Sequence, residues 1–352
     1  MEFAKGGTAY IAEKIEEAVK NESRTATVSG NWEMDAAVRL PSNFTLILED
    51  AHLKMADGVY SNMFVNEHHD TQIGKTADGT DKNINIIGRG TAVLDGGIYN
   101  GLSEKNSLKD GMPPIWKNNL LLFTNVDGFK VSGISFRNQR WWALNFIYCA
   151  NGYLGNLDFC ASDICVDENG NEYRGLRRDR CDDILVKNAD GIDLRQGCHD
   201  ILIENITGFT EDDSVALTAL DGRMERTFAV RGLSSDLCNV VIRNVRTAAF
   251  CSNVRLLNQG EIKLHDITID GVYDMAEASP HMDLGRYAVR VGDTHMYGAR
   301  HSTAEETYNI TVKNVCGGGE AVLCLAGEIG NLVFFGIESV NGAPMLKDDR
   351  TV

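Results

Sequence analysis

Residues 188–217 read NADGIDLRQGCHDILIENITGFTEDDSVAL. The middle of this stretch, DILIENITG from Asp200, alternates apolar and polar residues between Asp and Gly, the pattern of a short strand. Similar pieces recur: NINIIG from Asn83, GFKVSGISF from Gly128, GYLGNLDF from Gly152, NVVIRNV from Asn239, EIKLHDITIDGV from Glu261, NITVKNV from Asn309 and NLVFFGIESV from Asn331. Their first apolar residues, Ile84, Phe129, Tyr153, Ile201, Val240, Ile262, Ile310 and Leu332, are separated by 45, 24, 48, 39, 22, 48 and 22 residues. These intervals approximate one or two units of about 22 to 24 residues, a length in the solenoid range.

Each unit holds short β pieces and turns without a recurring helical period. A helical solenoid or a leucine-rich horseshoe is therefore disfavoured, and an all-β parallel β-helix remains, with coils stacked about 4.8 Å apart. Asn and Asp at the coil corners are expected to hydrogen-bond neighbouring turns. The one helical period is TAYIAEKIEEAVK, where Ile11, Ile15 and Val19 recur every four residues. It predicts a short N-terminal helix within residues 1–22 that caps the apolar end of the solenoid. Coils then fill residues 23–352 of a single domain, interrupted by insertions near 98–118, 162–184 and 272–307 that wall a groove.

Composition agrees with many short strands. The 352 residues are 43% hydrophobic and 24% charged, with 35 glycines against five prolines. A net charge of -16 argues against nucleic acid as a partner, because phosphate binding needs clustered Lys and Arg. No run of 18 apolar residues occurs, so no membrane-spanning segment is expected. The N-terminal sequence lacks a basic segment followed by an apolar one and does not read as a signal peptide. With nine cysteines scattered through apolar strands, the economical expectation is reduced thiols and a cytoplasmic location, or an exported one if a leader was trimmed.

The acidic residues carry the chemistry. Asp190 and Asp212 are 22 residues apart, about one coil, so Asp190 and the Asp212/Asp213 pair should meet on one face in adjacent coils. Three carboxylates so placed raise at least one pKa by repulsion, which a general acid near neutral pH requires. Carboxylates about 6.5 to 9.5 Å apart are the arrangement of inverting glycoside hydrolysis. The competing reading of an isolated Asp-Asp pair is a solvated turn, which the one-coil offset makes less attractive.

At these residues the chain resembles glycoside hydrolase family 28, the polygalacturonase-like enzymes with a right-handed parallel β-helix. The resemblance runs through LILEDAHLKM, INIIGRGTAVLDGG, RWWALNFIYCANGYLGNLDF and NADGIDLRQGCHDILIENITGFTEDDSVALTALDG, the last similar to the family's NTDGID and GDDCIAIKSG core. It implies hydrolysis with inversion and without a metal or other cofactor. Asp212 would be the general acid, with Asp190 and Asp213 holding and deprotonating the attacking water. Two departures are visible. The family's GHG falls near RTAAFCSNVRLL, where Ala249, Phe250 and Cys251 stand and no histidine does. Its RIK best matches RYAVRVGD, which supplies Arg290 but has Gly292 in the lysine's place.

Further candidates for holding a sugar are Asn188, Arg255, His295 and His301, the two histidines being able to fold back from the last insertion to replace the missing one. Trp141 and Trp142 are neighbours on one strand and face opposite ways, so one is expected in the core and the other against a sugar ring. Asp167, Asn169 and Asn171 resemble part of a calcium loop, with Gly170 misplaced and no bidentate Glu at the required spacing. Cys160, Cys165, Cys181 and Cys198 form no CxxC pair, so a zinc site is not expected. The expected activity is glycosidic hydrolysis of a pectin-related or other plant or microbial oligosaccharide. The alternatives are a carbohydrate-binding β-helix without catalysis, or a uronate lyase or epimerase on the same scaffold. Copies could pair through exposed sheets, although nothing in the sequence compels it.

Overall fold

The computed structural model describes residues 2–101, 114–161, 164–174, 184–185, 189–276, 284–293 and 300–350. Among them, eighteen strands belong to one sheet whose pairings are all parallel, each strand bonding to the equivalent strand one turn further along the chain. The chain therefore winds as a right-handed parallel β-helix. A single interior column shows the winding: Phe44, Ile84, Phe129, Gly152, Ile201, Val240, Ile267, Ile310 and Leu332 are successive register partners. Such columns of Ile, Val, Leu and Phe make one continuous core, because a residue type repeated once per coil stacks on its own kind.

Six of the eight sequence anchors lie in this column, and two do not. Gly152, not Tyr153, pairs with Phe129, because the Phe129 ring occupies the interior and would lie 2.1 Å from any Cβ at residue 152. Ile267, not Ile262, pairs with Val240. The reading of long intervals as two units is also corrected. Ile84 and Phe129 are direct neighbours although 45 residues apart, as are Ile201 and Val240 although 39 apart. Each long interval is one coil whose connecting loop leaves the solenoid, so length along the chain overstates the number of coils.

Corners are held as the sequence predicts. Asn43, Asn83, Asn151, Asp200, Asn239, Asp266, Asn309 and Asn331 all take left-handed backbone geometry at one corner, which Asn and Asp tolerate better than other non-glycine residues. Their side chains climb from coil to coil, as in Asn83 Nδ2 to Asn43 Oδ1 at 2.9 Å and Asn331 Nδ2 to Asn309 Oδ1 at 2.6 Å. A second corner repeats the device with Asn205 donating to Asn156 at 3.0 Å and Asn244 donating to Asn205 at 2.7 Å.

The helix Gly7–Lys20 covers the first coil. Ile11 and Ile15 are buried in the core with Ala18, while Val19 is half-buried against it. At the far end the strands Gly330–Ser339 and Leu346–Arg350 leave Phe334 and Leu346 36% exposed, although their partners Val312 and Leu323 are core residues.

Of the three insertions, 162–184 contains a two-stranded antiparallel hairpin, Ile164–Val166 with Glu172–Arg174, and 98–118 contains the short turn Ile115–Lys117. The segment 272–307 is not one insertion. The strand Leu264–Asp274 runs into it, and Tyr287–Val291 within it pairs with Ser252–Asn258 and Ala321–Gly327 as part of the sheet. Periodicity missed this coil because Tyr287–Val291 is only five residues long and follows a loop. No helix among the described residues is long and apolar enough to cross a membrane, and no two of the eight described cysteines are joined as a disulfide.

Candidate active site

The strand Asp190–Arg195 pairs in parallel with Val215–Ala219, Ile192 opposite Val215, so the true offset is 23 residues and Asp190 stands level with Asp213. The Asp213 N–H donates to Asp190 Oδ1 at 3.2 Å, and the Gly191 N–H donates to the Asp213 carbonyl at 3.1 Å. Asp212, half-buried, precedes this pair directly. The next coil is tied on by Ser214 N–H to the Ser252 carbonyl at 3.0 Å, and continues as the strand Ser252–Asn258. These coils form one side of a groove of about 810 Å³ lined by Asp190, Asp193, Asp212 and Asp213 together with Trp142, Arg195, Glu225 and Arg255.

Burial dominates the electrostatics. Asp190 is 7% exposed, Asp193 1% and Asp213 3%. Desolvation pushes all three carboxyls above the usual carboxylate range, and the Asp212 charge pushes the same way, carrying Asp213 to about 6. Two buried guanidiniums oppose this. Arg255 Nη1 lies 3.5 Å from Asp213 Oδ2 and its Nη2 donates to Asp293 Oδ2 at 2.9 Å. Arg195 donates to Glu225 Oε1 at 2.7 Å, to Asn145 Oδ1 at 3.2 Å and to Asp193 Oδ1 at 3.4 Å. Asp193 Oδ2 and Asp213 Oδ1 are buried and accept no hydrogen bond from the described residues. Buried acceptors of this kind are costly unless a ligand or water engages them. The cluster thus presents carboxyl groups of differing proton affinity within one groove, the equipment of acid–base catalysis.

Asp190, Asp212, Asp213, Arg255 and Trp142 are brought together as the sequence expects. Trp141 is not at the groove: it is 1% exposed and packs in a second apolar cluster with Ile147, Tyr148 and Met224, so it cannot stack on a sugar. Trp142 does line the groove, with the Arg195 guanidinium 4.2 Å from its ring centroid. Arg290 pairs with Arg255 one coil on and lies over the Tyr287 ring at 5.9 Å. It is not among the groove-lining residues, although its charge favours an ionised Asp213. At Gly292 the backbone has φ 84 and a Cβ would lie 1.9 Å from the Ala326 carbonyl oxygen, so no lysine fits there.

His301 does not replace the missing histidine. Its Nδ1 lies 2.8 Å from the Asp293 carbonyl, behind Arg255. Cys251 occupies the coil after Asp212 instead, its thiol pushed up by burial, by the Asp212 and Asp213 charges and by a hydrogen bond with Asp212. Asn188 and His295 lie outside the described residues. The resemblance of Asp167 to a calcium ligand has a structural cause: its carboxylate caps its own turn, accepting from the Asn169 and Asn171 N–H groups at 2.9 Å and from Asn171 Nδ2 at 2.8 Å.

Four groove or near-groove residues were missed by sequence reasoning. Asp193 and Arg195 follow Asp190 in GIDLR at strand spacing, and that alternation was the available signal. Glu225 arrives on the short helix Arg223–Thr227 and Asp293 on the Gly292 turn that follows Tyr287–Val291, and neither left a periodic trace.

Residues 39–231, more than half of the chain, match the model of glycosyl hydrolases family 28. Among solved structures the chain is similar to a hyperthermoactive exopolygalacturonase from Thermotoga maritima, with 14% identity over 96% of this chain and 85% of that one and a TM-score of 0.53. It is similar to the endo-xylogalacturonan hydrolase from Aspergillus tubingensis at 13% identity over 96% of this chain and 91% of that one, TM-score 0.52. The tailspike protein of E. coli bacteriophage HK620, solved with a pentasaccharide, gives 14% identity over 97% of this chain and 61% of that one, TM-score 0.60. At such identities the structural likeness shows the fold. No curated protein matches the sequence.

Proposed function

The chain belongs to family 28 of the glycosyl hydrolases and is a glycosidase, and from that premise we propose that it cleaves a pectin-related oligosaccharide with inversion, using Asp212 as the general acid. The observation that carries this reading is the meeting of Asp190, Asp212 and Asp213 across one coil spacing in a single groove. In the proposed reaction Asp212 gives its proton to the glycosidic oxygen as that bond to the anomeric carbon breaks. The oxygen of a water forms the new bond from the opposite face, and its proton passes to Asp213. Asp190, whose carboxyl is pushed up by burial and by its acidic neighbours, hydrogen-bonds the Asp213 backbone and shares the water. Because Asp213 must be ionised to accept a proton and burial raises its carboxyl, activity should climb with pH as Asp213 ionises.

The experiment is hydrolysis of pectic oligosaccharides in ¹⁸O-labelled water, followed by mass spectrometry and by proton NMR of the first product formed. The expected result is one heavy oxygen at the new reducing end and an anomer of opposite configuration to the substrate. Retained configuration would exclude this role for Asp213, and an unsaturated product without solvent oxygen would make the protein a lyase.

A further inference from the structure

Hydrolysis as proposed requires one member of the carboxyl cluster to be an anion while burial and repulsion favour the neutral form in Asp190, Asp193 and Asp213 alike. Asp213 is faced by Asp190 and Asp193 from the coil before, by Asp212 beside it, by the Ser252 hydroxyl, Cys251 and Arg255 from the coil after, and by Arg290 one coil further. Of the two cations, Arg255 makes the ion pair. It is 8% exposed on the strand Ser252–Asn258, with one guanidinium nitrogen 3.5 Å from Asp213 and another 2.9 Å from Asp293.

Asp293 is itself 4% exposed and directly follows the tight Gly292 turn. Its carbonyl oxygen lies 2.8 Å from His301 Nδ1. A carbonyl only accepts, so that contact places the imidazole proton on Nδ1. The guanidinium is thereby fixed between two carboxylates on different coils, with a third element behind one of them. A planar fork held at both ends presents its charge in one place, which a solvated arginine reaching for a sugar does not.

We propose that Arg255 is a positioning residue that, clamped by Asp293, holds Asp213 as the oriented carboxylate base, and that it does not grip the substrate. The proposal rests on the hydrolase reading above and assigns to one arginine the choice among the neighbouring carboxyls.

The test compares the parent with Arg255→Gln, Arg255→Lys and Asp293→Asn by kcat, KM and the pH dependence of kcat/KM. In parallel, Asp213 is titrated without substrate by carboxyl ¹³C NMR of Asp-labelled protein, its signal assigned by its loss in Asp213→Asn. Arg255→Gln should lower kcat by about tenfold or more with KM changed by less than about threefold. It should also move the acid limb and the Asp213 titration up by about one pH unit, because a cation that favours the anion is gone. Asp293→Asn removes a competing anion and keeps the cation, so it should move both down. Arg255→Lys should fall between Arg255→Gln and the parent. A large rise in KM with the acid limb and the Asp213 titration unmoved would make Arg255 a sugar contact, and no change in any of them would remove its role altogether. If the parent hydrolyses nothing the hydrolase reading fails, while the titration still decides whether Arg255 holds Asp213. If Arg255→Gln fails to fold, the opposite displacements in Asp293→Asn and Arg255→Lys decide it.

Discussion

Asp190 lies among Asp193, Asp212 and Asp213 with almost no solvent to screen them, and both burial and repulsion raise its proton affinity in the folded state. A carboxyl raised in this way contributes stability that is fully present below its unfolded pKa of about 3.9 and is lost as the pH rises through the folded value. Asp190→Asn keeps an oxygen for the Asp213 N–H and cannot ionise. It should be more stable than the parent at about pH 8, with the advantage vanishing at about pH 4. Urea unfolding at the two pH values checks this, and an equal difference at both would mean that Asp190 is not a strained anion. These aspartates were legible in the sequence because parallel pairing converts a fixed offset along the chain into side-by-side placement. Asp193 and Arg195 were legible in another way, from the alternation of GIDLR along one strand. Glu225 and Asp293 were not, since Glu225 comes in on the short helix Arg223–Thr227 and Asp293 on the turn after Tyr287–Val291, and His301, a candidate to replace the missing histidine, stands behind Asp293.

The coil corner is the element that repeats most faithfully. At Asn205 the backbone has φ 57, its side chain donates to Asn156 at 3.0 Å, and it accepts from Asn244 at 2.7 Å. Asn205→Ala loses both the tolerated left-handed geometry and the ladder, and should cost about 1–2 kcal/mol. Asn205→Gly loses only the ladder and should cost less, although its unfolded state is more flexible. Chemical denaturation of the two variants separates the terms; Ala no worse than Gly would show that the backbone geometry carries no penalty here. Strand pieces were readable because their period of two persists wherever one face is buried. The coil count was not, because a loop between two strands adds residues without adding a coil, as between Ile84 and Phe129.

For the molecule as a whole, the helix Gly7–Lys20 covers the first coil and parallel coils stack away from it, with the groove crossing the middle of the stack. A rigid column of backbone hydrogen bonds therefore sets the spacing of the acidic residues, and the short helical segments Ile115–Lys117 and Arg223–Thr227, the latter bearing Glu225, complete the walls. This division explains what one sequence could tell. The scaffold and the acid cluster are periodic and were visible, whereas groove-lining residues such as Ile115 and Glu225 sit on segments without a period. In the proposed reaction this cluster breaks a glycosidic bond through Asp212. The most direct test is reducing-end release across a panel of pectic and neutral oligosaccharides by the parent and by folded Asp212→Asn. The expected result is release by the parent and a loss of about 100-fold or more in the variant. Equal rates for the two proteins, or no release by the parent from any member of the panel, would contradict it.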